Sequence, residues 1–299
     1  MLGKQLLVLL ITVSQVIFAQ ENTQPESKST KEEGEKTFEN GVIINNQTVQ
    51  SSAKKSLDFI IQHRFGDIVN GKDLFGIFGP TNIRLGLEYG ITDRLSLGAG
   101  ATKNNSLYDL ELKFEILKQG KSGEMPVSVS YFGDLTVKAG DNAHFFNQDG
   151  KYFAANRCYF FHELMVARKF NEHFSLQLGC SYTYLNLVIE PERRRSYTGL
   201  HTVASYKITP KSAIQMEYDW NLTPDKIPDE KDPAKKVTIQ KPNLSLGYER
   251  SSGSYQFQMF VTTSNGIAGA DVIADNTNDF TKKNNLLFGF NIIRQFEFN

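Results

Sequence analysis

Charged side chains in this chain repeatedly stand two positions apart with apolar residues between them. Asp109, Glu111, Lys113 and Glu115 alternate with Tyr108, Leu110, Leu112, Phe114 and Ile116. Glu217 and Asp219 alternate with Met216, Tyr218 and Trp220, and Arg84 and Glu88 with Ile83, Leu85, Leu87 and Tyr89. Asp58, Arg64 and Glu249 sit in the same kind of frame. A spacing of two puts residues on one face of a β-strand, so the charged groups gather on one polar surface. Eight of them are carboxylates and three, Arg64, Arg84 and Lys113, are cations. An acidic wall around water favours cationic or neutral polar solutes over anions. The competing use of the same groups is mutual pairing, in which the carboxylates and the three cations simply fill the interior.

Enzymatic chemistry finds less support. The five histidines are His63, His144, His162, His173 and His201. None lies in a recognisable serine-nucleophile motif, and no G-x-S-x-G is present. No Cys/His cluster or HExxH has zinc spacing, and no P-loop or G-x-G-x-x-G occurs. The reading is therefore a non-enzymatic protein with no catalytic residues, no metal and no cofactor; a lipid hydrolase of the outer membrane is the enzymatic alternative. Lys+Arg and Asp+Glu count 33 each, for a formal net charge of +0; no nucleic-acid partner is expected, and nothing names a protein partner.

The elements that must position these residues are strands. From Leu57 onward twelve alternating segments can be counted, joined in turn by short connections near residues 91–94, 118–124, 171–173, 209–212 and 250–253 and by long ones near 66–81, 138–157, 187–196, 221–241 and 264–285. Only the connection at 103–106 is shorter than its place in the sequence of turns predicts. Bacterial outer-membrane barrels have this division into short periplasmic turns and long outer loops, with an apolar face toward lipid and a polar face toward the lumen. Tyr89, Tyr131, Tyr182, Tyr184, Tyr218, Trp220, Tyr248 and Tyr255 lie toward strand ends, as interfacial aromatic girdles do. A soluble β-sandwich would also alternate, but it need not sort its loops by length. The hydrophobic fraction of 40% does not count against a barrel, which needs apolar residues only at alternate positions.

Residues 1–19 read as a secretory signal, with Lys4 at its start, an apolar run over 6–18 and Ala19 before the cut. Residues 20–55, rich in Glu, Lys, Ser, Thr, Asn and Gln, predict a disordered periplasmic tail, and residues 56–299 the barrel. Cys158 and Cys180 fall about a hairpin centred near Asn171, which sets Cys158 opposite the region of Tyr184 and argues against a disulfide. Among the outer loops, 138–157, with Phe145, Phe146, Tyr152 and Phe153, is the one expected to fold inward as a constriction. The run Arg193 to Arg195 could meet lipid phosphates or stay solvated.

Several stretches carry a family resemblance: HRFG at 63–66, LFG at 74–76, NIRLGLEYGITDRLSLGAG at 82–100, ARKFN at 167–171 and the closing LLFGFNIIRQF. From about Leu57 to the end the chain resembles the outer-membrane β-barrel family catalogued as domain of unknown function 5777. The resemblance implies an all-β, single antiparallel transmembrane barrel in the cell outer membrane, in contact with outer-membrane lipid, and carries over no catalytic or binding residues. The expected function is a passive channel or narrow transporter for small polar or cationic solutes. A plugged structural or adhesive barrel acting through its surface loops is the alternative.

Overall fold

The computed structural model describes residues 35–68, 76–120, 125–190, 192–229, 232 and 234–298. The signal and residues 20–34 of the expected tail lie outside them. Among the described residues the strands are β1 (Val42–Ile43), β2 (Asn46–Gln47), β3 (Ser56–Asp67), β4 (Asn82–Gly90), β5 (Leu95–Thr102), β6 (Leu107–Leu117), β7 (Ser128–Lys138), β8 (Cys158–Lys169), β9 (Phe174–Leu185), β10 (Ser196–Thr209), β11 (Ser212–Asn221), β12 (Lys226–Pro228), β13 (Lys236–Thr238), β14 (Asn243–Ser252), β15 (Tyr255–Thr262) and β16 (Leu287–Glu297). Three sheets result. β3 to β11 and β14 to β16 form a closed antiparallel barrel of twelve strands, in which β16 pairs with β3, Ile293 opposite Ile60, so that no edge is left open. The other two are small hairpins, β1–β2 and, in a long loop, β12–β13.

Parity decides what each wall residue meets. On β4, Leu85, Leu87 and Tyr89 are exposed while Arg84 and Glu88 are buried; on β6, Tyr108, Leu110 and Leu112 are exposed while Asp109, Lys113 and Glu115 are buried. Leu178, Leu200, Met216, Trp220, Leu246 and Met259 continue the exposed apolar belt. This is the outer surface that a hydrocarbon layer requires, since closure satisfies every strand's backbone groups within the sheet. Both cysteines are free. Cys180 stands opposite Leu164 and Leu200, and Cys158 opposite Val137, so register keeps them apart.

The expectation of a disordered tail fails over the part of it that is described. Residues 35–53 enter at the short-turn end, where Glu35 N–H donates to Gln119 O (2.7 Å) and Thr37 meets Ser128 (3.1 Å). They rise inside the barrel, reverse at Ile44 and Asn45, and return to join β3. Phe38, Val42, Ile43, Ile44 and Val49 are 3% exposed or less. The barrel supplies their partners: Ile43, Ile44 and Val49 belong to one buried cluster with Phe132, Phe161, Met165, Val203 and Phe260 of the wall, and Val42 packs with Ile60 and Ile293. Composition missed this because the segment cannot bury its few apolar residues against itself; it buries them against strands far away in sequence. Its return limb lies so close to β4 that a Cβ on Gly90 would fall 2.0 Å from Ala53 O.

Candidate functional site

The eleven charged residues expected from the sequence to line the lumen all lie on the inner face of the barrel, and the structure brings most of them to the hairpin. Glu217, at the tip, accepts the backbone N–H groups of Asn45 (2.8 Å) and Asn46 (2.9 Å) at Oε1 and the Asn45 amide (3.0 Å) at Oε2. Arg64 reaches the same turn from the other side, donating to Ile44 O (2.9 Å) and Asn45 Oδ1 (2.8 Å) while its plane lies 4.4 Å over the Phe260 ring. Asp219 accepts the Asn46 amide (2.8 Å) and Glu249 the Asn40 amide (2.6 Å). Lower down, Lys113 donates to Gly41 O (3.0 Å) and Gln50 O (3.2 Å), Glu115 accepts Ser51 N–H (2.7 Å), Glu88 accepts Ser52 N–H (3.3 Å), and Asp58 accepts the Ser52 hydroxyl (2.7 Å). The remaining three pair among themselves: Arg84 bridges Asp109 and Glu111, the latter at 2.7 Å. Neutral amides complete the socket, with Gln177 Oε1 accepting Val49 N–H (2.9 Å) and Gln258 Oε1 accepting Ile44 N–H (3.2 Å).

Outside the strands, Glu39 stands at the lower part of the hairpin. Burial works against its ionised form, yet its pairs with Lys207 and Lys36 hold its carboxyl below the usual range.

A second segment closes the lumen from the long-loop end, and it is not the one expected. The loop 138–157 stays at the rim: Phe146 and Phe153 are 42% and 52% exposed, and Phe145 is covered by its own Arg157, 4.0 Å above the ring. Instead the connection between β15 and β16 turns inward and carries α1 (Gly269–Ala274), whose Ala270 and Ile273 are each 1% exposed. Small residues permit this: a Cβ on Gly269 would meet the Phe161 ring at 2.7 Å. α1 is held by Tyr159 donating to Asp271 Oδ1 (3.2 Å), by Asn221 donating to Ile273 O (2.9 Å) and by an Arg193–Asp275 ion pair. Arg193, first of the arginine run, thus turns to α1. Where hairpin and loop approach, a cavity of about 20 Å³ remains, lined among others by Gln47, Glu111, Asp134, Glu163 and Gly269, about the space one water takes.

Sequence reasoning missed Asp134 and Glu163, both buried on the inner face, and the company of His201. His201 Nδ1 donates to Asp219 Oδ1 (2.8 Å), and its Nε2 is hydrogen-bonded to Ser181 Oγ (2.7 Å). Serine, histidine and aspartate come from three neighbouring strands, so no contiguous motif could reveal them. The order of contacts is that of a nucleophilic triad, but Ser181 is 2% exposed. It lies in a strand paired on both sides, where backbone N–H groups serve the ladder and none is free to hold an oxyanion. The trio fixes Asp219 for the hairpin tip. One signal for the plug was present in the sequence: Phe132, Phe161, Met165 and Phe260 occupy inward positions that an aqueous lumen would fill with polar residues.

A family model described as a membrane-bound β-barrel domain, domain of unknown function 5777, matches residues 38–296. The match begins at Phe38, not near Leu57, so the hairpin is part of the family's domain. No curated protein matches the chain. Among solved structures, the KdgM porin is similar at 9% identity, covering 82% of this chain and 99% of that one with a TM-score of 0.45. The NanC porin is similar at 10% identity, covering 81% and 100%, TM-score 0.44. The Pseudomonas putida toluene transporter TodX is similar at 11% identity, covering 80% and 86%, TM-score 0.34. At such values the likeness does not extend to what those proteins carry.

Proposed function

The chain belongs to the membrane-bound β-barrel family catalogued as domain of unknown function 5777, and from that premise we propose that it is an outer-membrane channel for small polar or cationic solutes, closed at rest by its own hairpin 35–53. The observation that supports this reading is the chemistry of the seam between hairpin and wall. Glu217, Asp219, Glu249, Glu115 and Lys113 all reach backbone groups or amides of one short segment, beside wall partners such as His201 for Asp219 and Glu88 for Lys113. Each such contact nets about 1.5–3 kcal/mol because water competes for both partners. Water can therefore take the hairpin's place on a wall of carboxylates, whereas it could not on an apolar one. Once the hairpin is withdrawn, the exposed carboxylates outnumber Arg64, Arg84 and Lys113, and such a lining favours cations. Twelve strands enclose a lumen between that of eight-stranded barrels filled by side chains and that of sixteen-stranded porins, which limits the solute to a small one.

Planar-bilayer recording tests this. Three proteins are compared: the mature chain, a chain lacking residues 35–53, and the same deletion with the loop around α1 shortened. The mature chain should be silent or open rarely, and the deletions should give steady cation-selective steps, larger when both segments are shortened. Thr37→Cys with Ser128→Cys, in a background without Cys158 and Cys180, should abolish openings until a reductant is added. Deletion variants that migrate as folded barrels and remain silent would replace the channel by a plugged barrel acting through its loops.

A further inference from the structure

The outward face of the barrel carries little charge, and its cations are confined to one rim. Among the described residues the arginines and lysines that point outward from barrel strands are Arg168, Arg250 and Arg294, each within the last few residues before the short-turn end of its strand, on β8, β14 and β16. Arg168 stands apart from the other two. Arg250 and Arg294 flank β15, with Phe257 opposite Arg250 and Tyr255 opposite Arg294, and the Tyr255 and Phe257 rings stack at 6.1 Å between them. Arg250 is fixed by donating to Ser212 Oγ (2.9 Å), which the Tyr248 hydroxyl also reaches (3.0 Å). Arg294 lies over two rings, 4.9 Å from the Tyr255 centroid and 4.4 Å from that of Phe296, and its guanidinium enters no hydrogen bond or ion pair among the described residues. No outward carboxylate on β14, β15 or β16 answers either charge. Ring faces hold a guanidinium plane and leave its N–H edge open, a fork that matches phosphate oxygens. Toward the middle of the barrel the exposed Phe257, Met259 and Leu246 continue the same surface as an apolar track.

We propose that Arg294 and Arg250, with the stacked Tyr255 and Phe257 between them, bind one anionic phospholipid of the periplasmic leaflet, its phosphodiester forked on Arg294 and an acyl chain laid along Phe257, Met259 and Leu246. The choice of leaflet rests on the outer-membrane reading, in which short turns face the periplasm; conduction through the lumen plays no part in it. Charge sets the class of lipid, since two cations without a carboxylate beside them favour a head group of net negative charge over a zwitterionic one.

Native mass spectrometry of the full mature chain, released from mixed micelles holding phosphatidylglycerol and phosphatidylcholine of equal chain length, decides the matter. One phosphatidylglycerol should be retained in preference to phosphatidylcholine by about tenfold or more. Arg294→Met should remove the preference, Arg250→Met should weaken it, and Arg168→Met should leave it intact, with the barrel's heat-modifiable migration showing that each variant is folded. Conducting and silent barrels should give the same readout. The proposal is overturned by equal retention of the two lipids, by a preference that survives Arg294→Met, or by an equal loss in Arg168→Met, which would show a diffuse basic rim in place of a site. Lipid A added to the same micelles should not displace the phospholipid; displacement that depends on Arg294 would overturn the proposal by assigning the site to the lipopolysaccharide leaflet.

Discussion

Glu217 holds the hairpin by its backbone, not by its side chains alone, and this makes its contribution hard to replace by a substitution within the hairpin. Two N–H groups on one carboxylate oxygen, with an amide on the other, form an anion nest of the kind turns build elsewhere for phosphate. Glu217→Ala should leave the Asn45 and Asn46 N–H groups without their acceptor and lower the local opening free energy by about 1.5–3 kcal/mol. Hydrogen exchange at those two amides should then quicken by roughly tenfold or more, while amides of β6 keep their protection; unchanged exchange at the tip would show that Glu217 does not anchor it. The sequence made the facing of this residue legible, because parity on β11 is clean and its outward neighbours are apolar. Its partner was not legible, since Asn45 lies 172 positions away and sits in a stretch that gives no periodic signal. Arg84 is the opposite case. Its partners Asp109 and Glu111 were on the same sequence-derived face, and mutual pairing, the competing use of these charges, is what β4 and β6 make.

At the scale of elements, the hairpin and α1 are short and irregular, and both take their order from the wall. The hairpin reverses at Ile44 with φ of 46°, a conformation that a β-branched residue adopts only under constraint. The constraint is visible: Ile44 is 0% exposed, its carbonyl accepts from Arg64 and Asn291, and its N–H is taken by Gln258. In the sequence, an isolated apolar run of Val42, Ile43 and Ile44 followed by Asn45 and Asn46 was the available sign of a turn between buried limbs. For the loops, the aromatic count pointed to 138–157, but large side chains keep a backbone away from a wall, and the small residues of 268–270 let it approach. α1 also predicts a pH response. Burial raises the Asp271 carboxyl, with Lys138 and the Tyr159 hydroxyl opposing. Its pKa when docked lies above its pKa when free, so docking takes up protons between the two values. The docked state is favoured most at low pH and loses that advantage as pH rises through the docked pKa. Exchange protection of residues 269–274 should accordingly be greater in acid buffer near the free carboxylate pKa than in neutral buffer, and Asp271→Asn should flatten the dependence; equal protection at both would show that the carboxyl does not titrate with docking.

For the whole molecule, the solvent is different on the two faces of the same strands, and substitutions should divide accordingly. Leu178, 58% exposed and midway along β9, meets hydrocarbon, so Leu178→Arg should cost about 2–4 kcal/mol in reversible folding into bilayers of short-chain lipid; a cost near zero would place that face in water. The exterior was the most legible region of the chain, because lipid imposes one requirement on every strand. The interior was less so, because a plug lets apolar and charged residues share an inner face that open water would keep polar. The two ends of the hairpin are also tied differently. Its return limb runs directly into β3, with Lys55 N–H donating to Gly90 O, whereas its leading limb starts from Glu35 beside Lys169. A mechanical pull from the short-turn side loads Glu35, Thr37, Asn40 and finally the tip at Asn45 in turn, so the bonds break singly and in succession. A push from the opposite side would load them together. The leading limb is thereby the end from which the hairpin would give way first under tension.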